Sequence, residues 1–159
     1  MHRDIKPENF LFSIKENTEL KDSYLPSENV MKLVDIKICD FGLSKAVGDR
    51  GSMLASMGMG TPFMMPPEHL EQIEITNKEA TKSDVWSYGA LAYYLFTGHF
   101  PFEKETISDV IDSVKEGFWY IKKDWPVSLE FLFFLESCLQ SKIKNRLSMR
   151  SLVKHEFLQ

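Results

Sequence analysis

The apolar run VWSYGALAYYLFTG, over residues 85–98, constrains the fold more than any other segment of the chain. It is too short to span a bilayer, so it predicts a helix buried in the core of a globular domain. Ser83 or Asp84, just ahead of the run, is expected to be the N-cap of that helix. A chain of 159 residues with 43% hydrophobic residues is large enough to enclose it in a sizeable core.

Four more segments have the pattern of helices and two have the pattern of strands. The predicted helices are PEHLEQ, ETISDVIDSVKEG, SLEFLFFLESCLQ and SMRSLVKHEF, with Ser128 and Ser148 as the N-caps of the last two. FLFSI and VDIKIC are short and rich in β-branched or aromatic residues, and the polar segment between them predicts a hairpin with a long connection. The expected fold class is therefore mainly α with a small β-hairpin.

The segment SLEFLFFLESCLQ also makes a prediction about the core. Its apolar residues recur at helical spacing and are expected to form one wide face of the core, made of Leu129, Leu132, Phe133, Leu135 and Leu139. By contrast, the segment SKAVGDRGSMLASMGMGTPFMMPP follows neither the helical nor the strand period. An irregular stretch of that length is uncommon in a compact domain and is usually functional.

Charge and cysteine content narrow the class of protein. The 19 basic and 23 acidic residues give a net charge of −4, which argues against broad binding of nucleic acid or of an anionic membrane. Cys39 and Cys138 cannot form a disulfide framework and lack metal-ligand spacing. The first residues lack the apolar stretch of a signal peptide. We therefore expect a soluble, intracellular protein of the cytoplasm.

Two segments, HRDIKPEN at residues 2–9 and ICDFGLS at residues 38–44, carry the residues suited to chemistry. Short steps of two and three residues separate Asp4, Lys6 and Asn9. We expect them to project to one side of an extended loop, where Asp40 can face them across the hairpin. A carboxylate, an amide oxygen and a cation suit Mg²⁺ with a polyphosphate, and Asp4 remains free to receive or orient a hydroxyl proton. The alternative is a set of turn polar groups and surface charges.

These segments resemble the motifs of one family. HRDIKPEN resembles the catalytic loop of eukaryotic protein kinases, and DFG at residues 40–42 resembles their metal-binding motif. Later landmarks of that family are matched in the same order along the chain by GTPFMMPPE, DVWSYG and KNRLSMRSLVKHEFL. The resemblance covers essentially the whole chain, and its last part is most similar to calcium/calmodulin-dependent kinases. It implies an incomplete C-lobe of the protein kinase-like (α+β) fold.

The resemblance also implies roles for individual residues. Asp4 would be the base that accepts or orients the substrate hydroxyl, Lys6 would stabilise the γ-phosphate of ATP, and Thr61 would help to shape the acceptor site. Asn9 and Asp40 would hold Mg²⁺. The nucleotide-binding set is Lys6, Glu8, Asn9 and Asp40. Glu8 also matches a position that meets a substrate arginine in many basophilic members.

Other matched positions have structural or regulatory roles in the family. Glu68 and Arg146 would form a buried ion pair, and Asp84 would bind the backbone around His2 and Arg3. His2 and Phe41 would be packing residues. Arg3 would pair with a phosphate carried by the long irregular segment, where the available acceptors are Ser44, Ser52 and Ser56.

The chain lacks some family motifs. It contains no GxGxxG and no strand of the VAIK type, so residues 1–159 are expected to be a partial kinase domain without the N-lobe. The expected function is ATP-dependent phosphoryl transfer to Ser/Thr of a protein substrate, for which a basic substrate is one option. The isolated chain is expected to be nearly inactive without its N-lobe or a partner kinase. The alternatives are a non-catalytic, kinase-like interaction module and a truncated gene product.

Overall fold

A hairpin precedes a helical body in the computed structural model, which describes residues 1–15, 34–42 and 62–159. Strand β1 (Phe10–Ile14) pairs antiparallel with β2 (Val34–Ile38), with Phe10 opposite Ile38 and Ile14 opposite Val34. The predicted hairpin is confirmed, and its second strand ends one residue earlier than VDIKIC suggests. The connection between the strands lies largely outside the described residues.

In the part of the chain that the structure describes, five α-helices follow the hairpin, each within or overlapping a segment predicted to be helical. They are α1 (Pro67–Leu70), α2 (Asn77–Thr97), α3 (Ile107–Glu116), α4 (Leu129–Cys138) and α5 (Met149–Leu152). Short 3-10 turns lie at Pro7–Asn9, Pro62–Met64 and Glu156–Leu158. The predicted class, mainly α with a small β-hairpin, is confirmed.

Helix α2 lies at the centre of the core, as its apolar sequence predicts. Val85, Trp86 and Ala90 have no exposed surface, and α4 packs against this helix through Phe134 and Leu135, which are equally buried. The core therefore forms around one buried helix.

No helix among the described residues is both long and apolar enough to cross a membrane.

The predicted start of α2 is wrong, because the helix begins six residues before Ser83. At its first turn, the Oε2 atom of Glu79 accepts hydrogen bonds from the N–H of Thr76 at 3.0 Å and from its hydroxyl at 2.6 Å. This local pairing stabilises a polar turn that has no apolar periodicity to reveal it. Ser83 and Asp84 consequently lie inside the helix, where their side chains are buried.

The predicted apolar face of α4 is only partly correct. Leu129 and Phe133 are 66% and 57% exposed, whereas Phe131 and Phe134 are buried. Residues 129 and 133 are one turn apart and share the face directed away from α2. The two predicted N-caps are confirmed, because Ser128 and Ser148 each accept an N–H three residues along the chain at 3.2 Å.

Gly89 allows α2 and α4 to approach each other closely, and we expect Gly89→Ala to destabilise the chain. A Cβ atom at residue 89 would overlap the Cβ of Cys138. We expect a loss of about 1–3 kcal/mol in the free energy of unfolding, although alanine normally favours a helix by roughly 1 kcal/mol over glycine. Urea denaturation followed by circular dichroism measures the change.

The matched control is the same substitution in a Cys138→Gly background, which removes the opposing Cβ. There the cost of Gly89→Ala should shrink or change sign. An equal cost in both backgrounds would contradict the proposed overlap.

Candidate active site

Two polar side chains of the loop before β1 meet at the carboxylate of a third residue, Asp4. Lys6 Nζ lies 2.8 Å from Oδ2 of Asp4, and Nδ2 of Asn9 donates to the same oxygen at 3.0 Å. The hydrogen bond to Asp4 raises the pKa of Lys6, and this effect outweighs the lowering by partial burial. The structure thus brings together the three residues that the loop sequence predicts to converge.

The convergence depends on a turn rather than on the extended loop that the sequence suggests. Pro7–Asn9 form a single 3-10 turn, closed by a hydrogen bond of 3.0 Å from the N–H of Asn9 to the carbonyl of Lys6. The turn directs the Asn9 side chain back to Asp4, where Nδ2 also donates to the main-chain carbonyl at 2.7 Å. Asn9 is only 4% exposed, so its orientation is fixed by packing as well.

The buried helix α2 anchors the start of this loop. Oδ2 of Asp84 accepts the N–H of His2, and Oδ1 accepts the N–H of Arg3, both at 2.8 Å. Arg3 has a φ of 74°, a left-handed conformation that is costly for a residue with a Cβ. The predicted contact of Asp84 with this backbone is confirmed, and it holds Arg3 in that conformation.

The other side of the loop contacts the hairpin. The imidazole Nε2 of the buried His2 lies 3.1 Å from the carbonyl oxygen of Cys39, and the N–H of Cys39 donates to the carbonyl of Asn9 at 2.9 Å. The packing role predicted for His2 is confirmed. The ring of Phe41 packs 4.8 Å from the His2 ring, as predicted, but Phe41 is 62% exposed and therefore not an internal residue.

Asp40 is an exposed residue two positions after the end of β2. Its φ is 59° and its Oδ1 accepts the N–H of Gly42 at 3.1 Å. Its negative charge contributes to raising the pKa of Lys6, which places both groups in one electrostatic environment. Within the described ranges, no three His, Cys, Asp or Glu side chains cluster as metal ligands.

The donors at the site nevertheless fit Mg²⁺, which takes few oxygens from the protein and the rest from phosphate and water. Asn9 uses Nδ2 toward Asp4, so its amide oxygen remains as a possible ligand. Asp40 has an exposed carboxylate with one internal hydrogen bond. These two residues supply a carboxylate and an amide oxygen, which are hard ligands suited to this cation.

A cavity of about 320 Å³ opens beside Lys6. It is lined by Lys6, Pro7, Glu8, Met64, Tyr94 and Phe100. Glu8 is exposed, whereas Met64 is buried, so the cavity has an acidic rim and an apolar base.

A buried ion pair joins the segment after the Pro62–Met64 turn to the end of the helical body. Arg146 is 1% exposed and donates to both carboxylate oxygens of Glu68, from Nη1 to Oε1 at 2.7 Å and from Nη2 to Oε2 at 2.9 Å. Burial alone would raise the pKa of Glu68, but the hydrogen bonds and charge of Arg146 lower it below its ordinary value. The predicted pair is confirmed in a bidentate geometry.

The sequence motifs do not reveal the residues of α2 that support this pair and the turn before it. The Ser83 hydroxyl donates to Oε1 of Glu68 at 2.7 Å, and the Ser87 hydroxyl donates to the carbonyl of Met64 at 2.9 Å. The Trp86 ring lies 4.9 Å from the guanidinium carbon of Arg146. Small polar residues at a spacing of four within an apolar helix were the available signal, since such groups need internal partners.

Several predicted residues lie outside the described part of the chain. They are Thr61 and the serines Ser44, Ser52 and Ser56, which belong to residues 43–61. Arg3 is described, but the phosphate contact expected of it involves that segment. These four residues and that contact remain predictions.

Comparison with known proteins identifies the family. Residues 1–158 match the family model of the protein kinase domain, and the chain therefore belongs to the protein kinase family. The two-stranded hairpin, the loop built around Asp4 and the buried helix are the parts of that domain described above.

Curated relatives of several kinase classes match almost the whole chain. The dual specificity mitogen-activated protein kinase kinase jkk-1 of Caenorhabditis elegans is 34% identical over 99% of this chain and 33% of its own length. Myosin light chain kinase A of Dictyostelium discoideum is 29% identical over 99% of this chain and 47% of its own. Calcium/calmodulin-dependent protein kinase cmkB of Emericella nidulans is 26% identical over 99% of this chain and 35% of its own length.

A solved structure shows the same fold. The Rad53 kinase domain, crystallised with SCD2 and AMPPNP, superimposes with a TM-score of 0.69 at 28% identity. The match covers 99% of this chain and 50% of that one. This chain thus spans a third to about half of the length of the relatives described here. The fold is that of part of a protein kinase domain.

The ion pair predicts a pH-dependent cost for Glu68→Gln. The substitution leaves the guanidinium of Arg146 buried without its counter-charge, and breaking such a pair from one side costs about 3–5 kcal/mol. Because the folded-state pKa of Glu68 is lowered, the stabilisation by the charged pair is complete above the ordinary pKa of 4.5 and is lost as pH falls through the folded pKa. Urea denaturation at neutral and acidic pH measures both effects.

Glu105→Gln is the control, because Glu105 is exposed and lies in the segment before α3, apart from the ion pair. The difference in stability between wild type and Glu68→Gln should be large at neutral pH and narrow in acid. A difference that is small at neutral pH, or that widens in acid, would contradict the role of the pair.

Proposed function

We propose that this chain carries the phosphoryl-transfer site of a serine/threonine protein kinase, which uses ATP and Mg²⁺ to phosphorylate a protein substrate. The observation that supports this best is the Asp4 carboxylate, which Lys6 and Asn9 hold at 2.8 Å and 3.0 Å. A carboxylate fixed in this way is preorganised for a reaction in which positioning and charge stabilisation dominate.

Asp4 would act on the acceptor hydroxyl. A serine or threonine hydroxyl that donates a hydrogen bond to the Asp4 carboxylate would be oriented to attack the γ-phosphorus of ATP. As the new oxygen–phosphorus bond forms, the bond from that phosphorus to ADP breaks, ADP leaves, and the carboxylate receives the hydroxyl proton. Lys6 Nζ, held beside Asp4, would place its positive charge against the phosphoryl oxygens. The raised pKa of Lys6 keeps it charged throughout.

Asn9 and Asp40 would hold Mg²⁺, since they provide the amide and carboxylate oxygens of the site. When bound, Mg·ATP supplies the phosphoryl group and the cation that neutralises its charge. Glu8 is exposed on the rim of the cavity beside Lys6, where it would face either the nucleotide side of the site or a basic substrate side chain. Thr61 would complete the acceptor side.

The acceptor class is inferred from the loop. Lys6 occupies a position that resembles Ser/Thr kinases rather than tyrosine kinases. The relative jkk-1 is described as a dual specificity kinase, whereas cmkB is described as calcium/calmodulin-dependent. Serine and threonine are therefore the proposed acceptors, and tyrosine is the comparison that an assay must include.

The hairpin supports a second part of the proposal, in which residues 1–159 form a partial domain completed by an N-lobe or a partner kinase. Phe12 is 78% exposed, Leu11 56% and Ile36 54%, so apolar side chains on both strands face outward. Exposed apolar surface of this kind usually marks an interface. A polypeptide packed there would cover the site that binds ATP, and the isolated chain is expected to be nearly inactive.

A non-catalytic, kinase-like interaction module is the alternative function, favoured by the same exposed hairpin. The residues around Asp4 argue for catalysis, because an interaction module has no need of a carboxylate held by a lysine and an amide. A truncated gene product is a further alternative, and the transcript upstream of Met1 tests it.

We expect Asp4→Asn to abolish phosphoryl transfer by the protein expressed from its natural transcript. Loss of the base lowers the rate by roughly 10²- to 10⁴-fold. The assay uses Mg·ATP and three matched peptides with serine, threonine or tyrosine as the acceptor. Transfer to serine and threonine, with little to tyrosine, is the expected result.

The control variant is Asp124→Asn, which makes the same chemical change at an exposed position in a later loop. It should retain wild-type activity. Activity that survives Asp4→Asn would refute the assigned role, and a correctly expressed protein that contains an N-lobe but shows no transfer would favour the interaction module.

A further inference from the structure

A groove of about 520 Å³ lies between α3 and the segment that follows it. Carboxylates of α3 form one wall, and aromatic rings of the following segment form the other. The aromatic residues are Phe118, Tyr120 and Trp125. The sequence motifs gave no indication of this groove, which lies outside the loop built around Asp4.

The acidic wall consists of Asp109, Asp112 and Glu116, which are three and four residues apart and so share one face of α3. Asp109 is engaged at the helix N-terminus, where its carboxylate accepts the hydroxyl of Thr106 at 2.8 Å. Asp112 and Glu116 are exposed, and among the described residues neither forms an ion pair. Two carboxylates are thus available to a ligand.

The aromatic wall is held in place, and one of its rings contacts an ammonium group of the same chain. The hydroxyl of Tyr93 donates to the carbonyl of Tyr120 at 2.8 Å, which ties this wall to α2. The ammonium group of Lys122 lies 5.3 Å from the centre of the Trp125 ring, a cation–π contact. Phe118 is 73% exposed and offers a second ring face.

The remaining charges of the groove leave it acidic. Glu103 pairs with His99 at 3.7 Å, and Lys104 and Lys122 are its two ammonium groups. Four carboxylates therefore line a groove that has two ammonium groups. The combination of spare carboxylates and aromatic faces is complementary to arginine or lysine side chains.

The groove and the cavity beside the candidate active site share Phe100 as a lining residue, and in the cavity Phe100 stands with Lys6 and Glu8. The groove therefore lies near the loop built around Asp4, within reach of a polypeptide whose acceptor residue is at Asp4. This proximity, together with the charge, favours a protein substrate as the occupant.

We propose that the groove between α3 and the Phe118–Tyr120–Trp125 wall docks a basic, extended segment of the protein substrate, at a distance from the acceptor residue. The proposal rests on the proposed function, because it names the substrate class of that site. Asp112 and Glu116 would form ion pairs with two arginines or lysines whose stems lie against the aromatic rings.

The spacing of the carboxylates suits an extended chain. Asp112 and Glu116 are four residues apart, about 6 Å along the axis of α3. Alternate side chains of an extended peptide lie on one face at intervals of roughly 6.6–6.8 Å. Basic residues at every second position would therefore match the acidic wall, whereas consecutive basic residues would point to opposite sides.

Peptide binding tests the proposal without requiring catalysis. The probe is a fluorescein-labelled peptide, Gly-Arg-Ala-Arg-Ala-Arg-Ala-Gly, titrated with the purified 159-residue chain and followed by fluorescence anisotropy. Asp112→Asn combined with Glu116→Gln should weaken binding about three- to tenfold. Phe118→Ala should weaken it by about two- to fivefold.

Matched controls make the same changes outside the groove. Glu105→Gln combined with Asp124→Asn removes two charges at exposed residues that do not line it, and Phe133→Ala truncates an exposed ring on α4. Both controls should bind the peptide like wild type. A peptide with glutamate in place of arginine should not bind.

Each other outcome overturns the proposal. Equal weakening by the two double variants would mean non-specific attraction to an acidic protein, and no binding of the arginine peptide would mean that the groove has another role. A wild-type dimer that Asp112→Asn with Glu116→Gln converts to a monomer would identify a second copy as the occupant. Failure to phosphorylate any peptide bears on the proposed function alone, because binding is measured directly.

Discussion

One carboxylate, that of Asp84, fixes the position of the loop on which the site depends. It accepts the backbone N–H groups of His2 and Arg3, both at 2.8 Å, from within the buried helix α2. A hydrogen bond to a charged group contributes more than one between neutral groups. The pair of bonds also compensates the left-handed conformation of Arg3. Asp4, one residue further, is thereby presented to Lys6 and Asn9.

Helix α2 supports the rest of the site from the same side. Ser83 stabilises the ion pair of Glu68 and Arg146, and Ser87 holds the carbonyl of Met64 beside the cavity next to Lys6. The helix can do so because it is buried, so each polar side chain must find a partner inside the protein. The hairpin on the opposite side of the loop is built differently, with apolar residues that face outward.

Much of this arrangement could be predicted from the sequence, because the motifs combine unusual residue types at fixed spacing. The grouping of Asp4, Lys6 and Asn9 followed from their spacing, although a 3-10 turn rather than an extended loop produces it. The start of α2 was missed because a local contact between Thr76 and Glu79 stabilises it without any apolar pattern. The exposure of Phe133 depends on which face α4 presents to its neighbour, which is a property of packing and not of composition. The groove beside α3 involves residues far from the motifs and needed the fold to become visible.

Asp84 holds the loop in place before any ligand binds. Amide hydrogen exchange at His2 and Arg3, measured by NMR, tests this role most directly. Both amides should exchange slowly in the wild-type chain. In Asp84→Asn they should lose roughly tenfold or more of that protection, while amides in the middle of α2 keep theirs; in the control Asp124→Asn they should be unchanged. Exchange of both amides at the rate of an unstructured peptide in the wild-type chain would contradict the account.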